Sequence, residues 1–237
     1  MHVKCTTLWL QKHGNAPGEY EDAAHPTGLI EVTEEDEFRC AVADGATETS
    51  FSGLWADLLV QGFVEKESLS ESRKKWQEKI PSSDQPWYVE EKAQAGAFAA
   101  LVGLSLNSDQ SWICEAVGDS CLFHVREEKL LLSFPLKSAE EFNNRPSLTC
   151  SIEAASTEIE TIRLTGDWQN GDKFLLLTDA IARWLLHDFE NGVTDLLSLE
   201  NNEQLSKLAA EQRALPGDDG RPRMHNDDIT IMKVEIN

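Results

Sequence analysis

Apolar and polar residues follow two different periods along this chain of 237 residues. Helical spacing of three and four begins at Phe51, where Ser50 or Ser52 can cap the first turn, and it returns after Asp179. Further helices are expected in 65–85, in 90–100, near 196–199 and near 205–208. Alternating or continuous apolar runs predict strands at 6–10, 37–43, 101–106, 112–117, 121–125, 129–133, 159–164, 173–178 and 229–236.

The order of these elements favours the α+β class. Strands come early, in the middle and last, and the stretch 112–133 contains successive strands with no helix between them. Parallel strands need a long crossover connection, so this stretch predicts antiparallel pairing, with a turn at Glu127-Glu128. We therefore expect antiparallel sheets packed face to face with amphipathic helices outside. Because the candidate site residues come from both ends of the chain, residues 1–237 are expected to form one domain.

The charge of the chain narrows the classes of partner. Acidic residues outnumber basic ones by 42 to 21, which gives a net charge of −21 and opposes binding to nucleic acid or to anionic membranes. No apolar run reaches the eighteen residues of a membrane span. The cysteines form no CxxC pair, which predicts reduced thiols and a cytoplasmic location. They are Cys5, Cys40, Cys114, Cys121 and Cys150.

Four acidic stretches each lie where an apolar strand is predicted to stop. A strand carries its last residue to the edge of a sheet, so carboxylates at several strand ends can converge in one place. If three carboxylates lie about 5 Å apart, each pair repels by roughly 3 kcal/mol at an effective dielectric near 20. Such a cluster needs a cation, and oxygen ligands suit Mg²⁺ or Mn²⁺. The acidic stretches are Glu21-Asp22, Asp44-Gly45, Asp179 and Asp227-Asp228.

Five short motifs resemble those of the PPM group of metal-dependent serine/threonine protein phosphatases, protein phosphatase type 2C. Each is short, but their shared order makes the resemblance specific. It implies a four-layer α-β-β-α sandwich of two antiparallel sheets flanked by helices, and a bacterial-type enzyme that dephosphorylates proteins. The ED, DG, GDS, TDG and DN-x-T motifs of the family resemble Glu21-Asp22-Ala23, Ala43-Asp44-Gly45, Gly118-Asp119-Ser120, Leu177-Thr178-Asp179 and Asp227-Asp228-Ile229-Thr230.

The resemblance also implies a site with two Mn²⁺ or Mg²⁺ ions. A hydroxide bound by both ions would attack the phosphoryl group in line, so no covalent intermediate on a side chain is needed. Asp44 would bridge the ions and act with Asp179 and Asp227 as the catalytic set. Asp119 would contribute to a third, weaker ion site. The implied metal ligands are Glu21 or Asp22, Asp44, the Gly45 carbonyl, Asp119, Asp179 and Asp227.

Arg183 is the departure from the family pattern with the clearest consequence. It follows Asp179 by about one helical turn, where many members carry an acid. A guanidinium offers five donors and no acceptor, so a third ion should bind weakly or not at all. Arg183 is expected either to pair with Asp119 or to hold a phosphate oxygen of the substrate.

Other departures concern the residues that bind or protonate the substrate. Cys121 follows the GDS motif where arginine is common. The phosphate-binding arginine found near the N-terminus of some members is absent, and Lys12 or His13 is a candidate replacement. A histidine that some members have beside the DG motif is also absent, which leaves His25 as a candidate proton donor.

These departures leave two alternatives open. The first is a catalytically weak or inactive pseudophosphatase, a binding or regulatory module that retains the fold; Arg183, Cys121 and the missing arginine favour it. The second is hydrolysis of a small phosphorylated metabolite by the same mechanism. Metal-dependent phosphoprotein phosphatase activity is the leading hypothesis, because an inactive protein would have no need for the costly carboxylate cluster.

Overall fold

The computed structural model describes residues 1–33, 36–47, 49, 51–80, 95–142, 146–153, 161–187, 189–217 and 220–237. Within them, two antiparallel sheets pack face to face, and helices cover the outer face of each sheet. This confirms the predicted α+β sandwich with four layers. In the same residues, no helix is both long and apolar enough to cross a membrane.

Six strands form the first sheet, in the order β3-β1-β12-β11-β7-β8. The second sheet has the order β10-β6-β5-β4-β2, with β9 beside β5. The strands of the first sheet are β1 (His2–Leu10), β3 (Leu29–Thr33), β7 (Cys121–Arg126), β8 (Lys129–Phe134), β11 (Lys173–Leu177) and β12 (Ile229–Ile236). Those of the second are β2 (Ala23–His25), β4 (Glu37–Gly45), β5 (Phe98–Asn107), β6 (Ser111–Val117), β9 (Thr149–Cys150) and β10 (Ile162–Asp167).

Three apolar clusters hold the four layers together. The cluster between the sheets contains Val42, Trp112 and Phe174, all essentially without solvent contact. Trp55 lies in the cluster between the second sheet and its helices, and Trp184 lies in the cluster between the first sheet and its helices. The second sheet carries α1 (Ser52–Glu65) and α2 (Leu69–Lys79), and the first carries α3 (Asp179–His187), α4 (Phe189–Ser198) and α5 (Asn202–Ala214). All five cysteines are buried free thiols, as predicted.

The chain changes sheets between β6 and β7, at Gly118-Asp119-Ser120. The stretch 112–133 is therefore antiparallel as predicted, but it is split between two hairpins, β5–β6 in one sheet and β7–β8 in the other. Gly118 has φ +88°, and a Cβ there would lie 2.6 Å from the Cβ of Ala100, so the crossing requires glycine. Glu127 and Glu128 both have positive φ and form the predicted turn without glycine.

Two local predictions are wrong. The predicted helix 90–100 ends as strand, because β5 begins at Phe98; residues 81–94 lie outside the described part of the chain. Ser52 does not cap α1: Phe51 is the N-cap residue, with no side-chain hydrogen bond, and Ser50 lies outside the described residues. The strand predicted at 159–164 is observed as Ile162–Asp167, and residues 159–160 are outside the description.

Candidate metal centre

Carboxylates from four places in the sequence meet at one end of the sandwich. Asp44 is near the end of β4, Asp119 lies where the chain changes sheets, Asp179 opens α3 after β11, and Asp227 precedes β12. These four residues and Gly45 line one open cavity of about 560 Å³. Strand starts and strand ends meet here because neighbouring strands are antiparallel. Our expectation that every acidic stretch follows a strand is thus wrong for two of them, since Glu21-Asp22 and Asp227-Asp228 precede their strands.

Asp22 does not line this cavity but a neighbouring one, beside Tyr20 and Thr230, and only 7% of the residue is exposed. The hydroxyl of Thr230 donates to its Oδ2 at 2.8 Å. Thr178 Oγ1 in turn accepts the backbone N–H of Thr230 at 2.9 Å, which joins the end of β11 to the start of β12. The position of Asp22 is therefore held by threonines from two of the motifs that resemble the phosphatase family.

Glu21 lies beside the cluster because the backbone around Glu21, Gly45 and Ser52 is closely packed. Ser52 Oγ donates to the Glu21 carboxylate, so this hydroxyl binds a candidate ligand instead of capping the helix. A Cβ on Gly45 would lie 2.6 Å from the carbonyl oxygen of Glu21 and 2.9 Å from the carbonyl carbon of Ser52. The glycine after Asp44 is thus required by packing, which gives a physical reason for the Asp-Gly pair.

The carboxylates of this cluster are poorly stabilised in their charged form. Burial raises the pKa of Asp44 well above its ordinary value, and the charges of Asp22 and Asp179 raise it further. Burial, together with the charges of Asp119 and Asp227, raises the pKa of Asp179 to about 7. Burial alone raises the pKa of Asp119 to about 6. Each of these groups needs a proton or a cation.

Basic side chains reach one edge of the cluster. Lys12 Nζ lies 3.3 Å from Asp227 Oδ1, and 40% of the Asp227 side chain is exposed. Arg213 donates to the main-chain carbonyl oxygen of Asp227 at 2.8 Å. In the described part of the chain, no ion pair involves Asp44 or Asp179.

Arg183 differs from its expected placement. It is not among the residues that line the cavity, and its Nη1 contacts the ring of His225, 3.3 Å from Nδ1. Among the described residues it forms no ion pair with Asp119. His225 does line the cavity, although no motif or spacing in the sequence selects it. His25 lies in β2, where it lines a separate cleft.

The donor chemistry of the site fits a hard divalent cation. Every candidate ligand offers oxygen, either as a carboxylate or, at Gly45, as a backbone carbonyl. Among the described residues, however, no three acidic, histidine or cysteine side chains already stand close enough together to hold a metal ion. The cluster thus has the composition of a metal site, and its side chains would have to converge on the ion.

Comparison with known families gives the same assignment as the motifs. Residues 18–220 match the family model described as Protein phosphatase 2C. The chain belongs to the protein phosphatase 2C family. The match covers the Glu21, Asp44, Asp119 and Asp179 positions of the cluster, and Asp227 follows it. Comparison with curated proteins gives no match.

Solved structures of other phosphatases share the fold of this family member. The photosystem II phosphatase PBCP is 17% identical, with a TM-score of 0.62 and 99% of both chains covered. The S. agalactiae serine/threonine phosphatase is 16% identical, with a TM-score of 0.60 and coverage of 99% of this chain and 100% of that one. The catalytic domain of the serine/threonine phosphatase PstP, in complex with two manganese ions, is 14% identical, with a TM-score of 0.54 and coverage of 99% and 100%.

Proposed function

We propose that this chain is a metal-dependent phosphoprotein phosphatase, a hydrolase that removes phosphoryl groups from serine or threonine. The observation that carries the proposal is the cavity lined by Asp44, Asp119, Asp179 and Asp227, in which burial raises the pKa of three carboxylates and mutual repulsion raises that of Asp44 and Asp179 further. Membership of the phosphatase family supports it. We also propose that residues 1–237 form one catalytic domain of the bacterial type that acts in the cytoplasm.

Two Mn²⁺ or Mg²⁺ ions would be held by oxygen atoms of the cluster. Asp44 would lie between them, the Gly45 carbonyl with Glu21 or Asp22 would bind on one side, and Asp179 and Asp227 on the other. The two manganese ions of the PstP complex support this number. When bound, the ions would lower the pKa of a water molecule and neutralise the charge of the phosphoryl group.

Residues in and beside the cavity would orient the substrate. Lys12, which pairs with Asp227, would attract a phosphate oxygen and so take the role of the missing N-terminal arginine. Arg183 contacts His225 and does not itself line the cavity, so its proposed contribution to substrate binding is secondary. Phe98, Pro146 and Leu148 line the cavity as well and would exclude water around the phosphorylated side chain.

A binding module without turnover is the alternative from a different class. The observation that favours it is the absence, within the described ranges, of a group of side chains already positioned to hold a metal ion. Against it, the uncompensated carboxylates destabilise the metal-free protein, as expected where function rather than stability requires them.

An assay with p-nitrophenyl phosphate and a phosphothreonine peptide tests the proposal. We expect hydrolysis of both with Mn²⁺ or Mg²⁺, none in EDTA, and recovery when Mn²⁺ is added back. Full activity in EDTA would contradict the metal-dependent mechanism. Tight binding of the phosphopeptide without turnover under any metal condition would favour the binding module. Turnover of small phosphate esters but of no phosphopeptide or phosphoprotein would favour a metabolite phosphatase.

A further inference from the structure

The chain between β1 and β2 carries Lys12, Glu21 and Asp22, and it is held in place by the turn before β12. That turn consists of Asn226, Asp227 and Asp228, which lie more than 200 positions further along the chain. Among the described residues, every hydrogen bond and ion pair between the two segments uses a side chain of the turn. On the loop, all but one of these contacts use a backbone group. The exception is the ion pair of Lys12 with Asp227.

Asp228 makes the contacts that reach both ends of this loop. Its Oδ1 accepts the backbone N–H of Lys12 at 2.7 Å, and its Oδ2 accepts the backbone N–H of Glu21 at 2.8 Å. Only 7% of the residue is exposed, so water competes little for these bonds. One carboxylate thus joins two points of the chain that are nine residues apart in sequence and brings them to the start of β12.

Two further sets of hydrogen bonds hold the turn, one to the loop and one to α5. Asn226 accepts the backbone N–H of His13 at 2.9 Å and donates to the His13 carbonyl at 3.1 Å. Arg213, from α5, donates to the backbone carbonyl oxygens of His225 and Asp227. These hydrogen bonds hold the turn that carries Asp228, and the position of Asp228 decides where the backbone of Glu21 lies.

We infer that Asp228 is a positioning residue, which sets the candidate ligands Glu21 and Asp22 against the end of β4 without binding metal itself. The inference rests on the proposed function for its consequence, metal affinity, but the hydrogen bonds that carry it are independent of any metal. Residues that orient metal ligands typically change metal affinity by about 10- to 100-fold when they are replaced.

The carboxylate has a specific advantage at this position. The family motif that the turn resembles has asparagine here, and an asparagine offers one acceptor oxygen and one NH₂ group. In this chain, two backbone N–H groups converge on the side chain from opposite ends of a loop, so an amide NH₂ would face one of them. Asp228→Asn keeps the volume of the side chain and removes one of the two bonds.

The experiment compares Asp228→Asn with a matched control, Asp172→Asn. Asp172 is also buried and also accepts a backbone N–H, from Gln169 at 2.9 Å, but it precedes β11 at the end opposite to the cluster. Amide hydrogen exchange is followed by NMR at Lys12 and Glu21 in the metal-free proteins. Mn²⁺ affinity is measured by calorimetric titration, and thermal unfolding in EDTA reports the loss of stability in each variant.

In Asp228→Asn we expect at least one of the two amides to exchange about tenfold faster and the dissociation constant for Mn²⁺ to rise at least about tenfold. In Asp172→Asn, both quantities should remain within about twofold of the unmutated protein, even though that variant unfolds at a lower temperature. Unchanged exchange at both amides would overturn the inference, and so would unchanged Mn²⁺ affinity. If affinity fell while both amides stayed protected, the lost charge alone would be responsible, and the positioning role would be wrong.

The proposed function can fail separately. If the unmutated protein takes up no Mn²⁺ or Mg²⁺, the proposed phosphatase site is wrong, whatever the variants do. The exchange rates of Lys12 and Glu21 would then still decide whether Asp228 holds the loop.

Discussion

The two ends of strand β11 each carry an aspartate, fully buried at Asp172 and partly exposed at Asp179, and the two charges are stabilised in opposite ways. Asp172 precedes the strand and Asp179 follows it, roughly 20 Å away for an extended segment of this length. Arg126 donates to both oxygens of Asp172, at 2.6 and 2.7 Å, and His124 and the Gln169 backbone also contact it. Burial raises the pKa of Asp172, but these hydrogen bonds more than offset that effect and place it below its ordinary value.

In the described part of the chain, no basic side chain pairs with Asp179. Burial and the charges of Asp119 and Asp227 raise its pKa to about 7. A carboxylate such as Asp172, whose acceptors are all used within the protein, stabilises the fold and is unavailable for chemistry. A carboxylate such as Asp179 lowers stability as long as it is charged and metal-free, and the proposed metal site would remove this cost.

The largest effect is expected when the charge of Asp179 is removed. Asp179→Asn should lower kcat with p-nitrophenyl phosphate by at least about a hundredfold, because losing a ligand should cost at least as much as losing a group that orients one. Its free energy of unfolding in EDTA should stay the same or rise, since one repelling charge has gone. Steady-state kinetics at saturating Mn²⁺ and urea unfolding measure the two quantities. Wild-type turnover would show that Asp179 is not a ligand.

The reverse pattern is expected at the other end of the strand. Asp172→Asn should lower the free energy of unfolding by about 3 kcal/mol, because it breaks a buried charge pair and leaves Arg126 and His124 poorly matched. Turnover per folded molecule should be retained, since the change lies far from the cavity. Urea unfolding and active-site titration with Mn²⁺ separate these effects. A stable but inactive Asp172→Asn protein would remove the distinction between the two ends.

The pH dependence of stability should also distinguish the two aspartates. In the metal-free fold, Asp179 keeps its proton up to about pH 7, whereas the unfolded chain releases it near 3.8. Folding is therefore favoured by this group at pH 5, and the advantage is lost as the pH rises through about 7. Asp172, with a lowered pKa, contributes stability above the ordinary aspartate value and loses it only in more acidic solution.

We therefore expect the Tm in EDTA to fall between pH 5 and pH 7.5 by at least about 3 °C more in the unmutated protein than in Asp179→Asn. The variant is the necessary reference, because burial lowers the pKa of His124 and this group acts in the opposite direction. Calorimetric scans at the two pH values measure the difference. Equal slopes in the two proteins would show that Asp179 is not the destabilised group.

The smallest effect is expected at Arg183. Because its guanidinium contacts His225 and does not line the cavity, Arg183→Ala should raise KM for a phosphopeptide by about threefold or less and leave kcat nearly unchanged. Such a change corresponds to less than about 1 kcal/mol of binding. Steady-state kinetics with the phosphothreonine peptide test this. A KM increase of a hundredfold would mean that Arg183 reaches the phosphate directly.

The apolar periods of the sequence were sufficient to predict the layers of the fold. Strand β12 and the hairpin β7–β8 were predicted nearly to the residue. β7 and β12 are buried along almost their whole length and stand out as mainly apolar runs, and β8 follows β7 after a short turn. The alanine-rich stretch before β5 was misassigned because alanine favours helices in isolation, whereas Ala99 and Ala100 are buried between neighbouring strands. The change of sheets at Gly118 has no signal in the apolar pattern and depends on tertiary packing.

The motifs predicted the candidate site residues, but they did not predict the hydrogen bonds that position those residues. Thr178 and Thr230 lie within the motifs, yet their hydrogen bonds to each other and to Asp22 depend on the pairing of β11 with β12. Serine is common at helix N-caps, which favours Ser52 as a cap, but the fold brings the Glu21 carboxylate to its hydroxyl. Long-range pairs of this kind have no period in the sequence.

The most direct test is a crystal structure of the Mn²⁺-treated protein with anomalous scattering data at the manganese edge. Our account predicts two strong peaks in the cavity, both within about 2.5 Å of oxygen atoms from Asp44, with Asp179 and Asp227 as further ligands and none at Asp172. It also predicts that both peaks disappear after treatment with EDTA. Crystals at saturating Mn²⁺ with no peak between Asp44, Asp179 and Asp227 would contradict the claim that this carboxylate cluster is a metal centre.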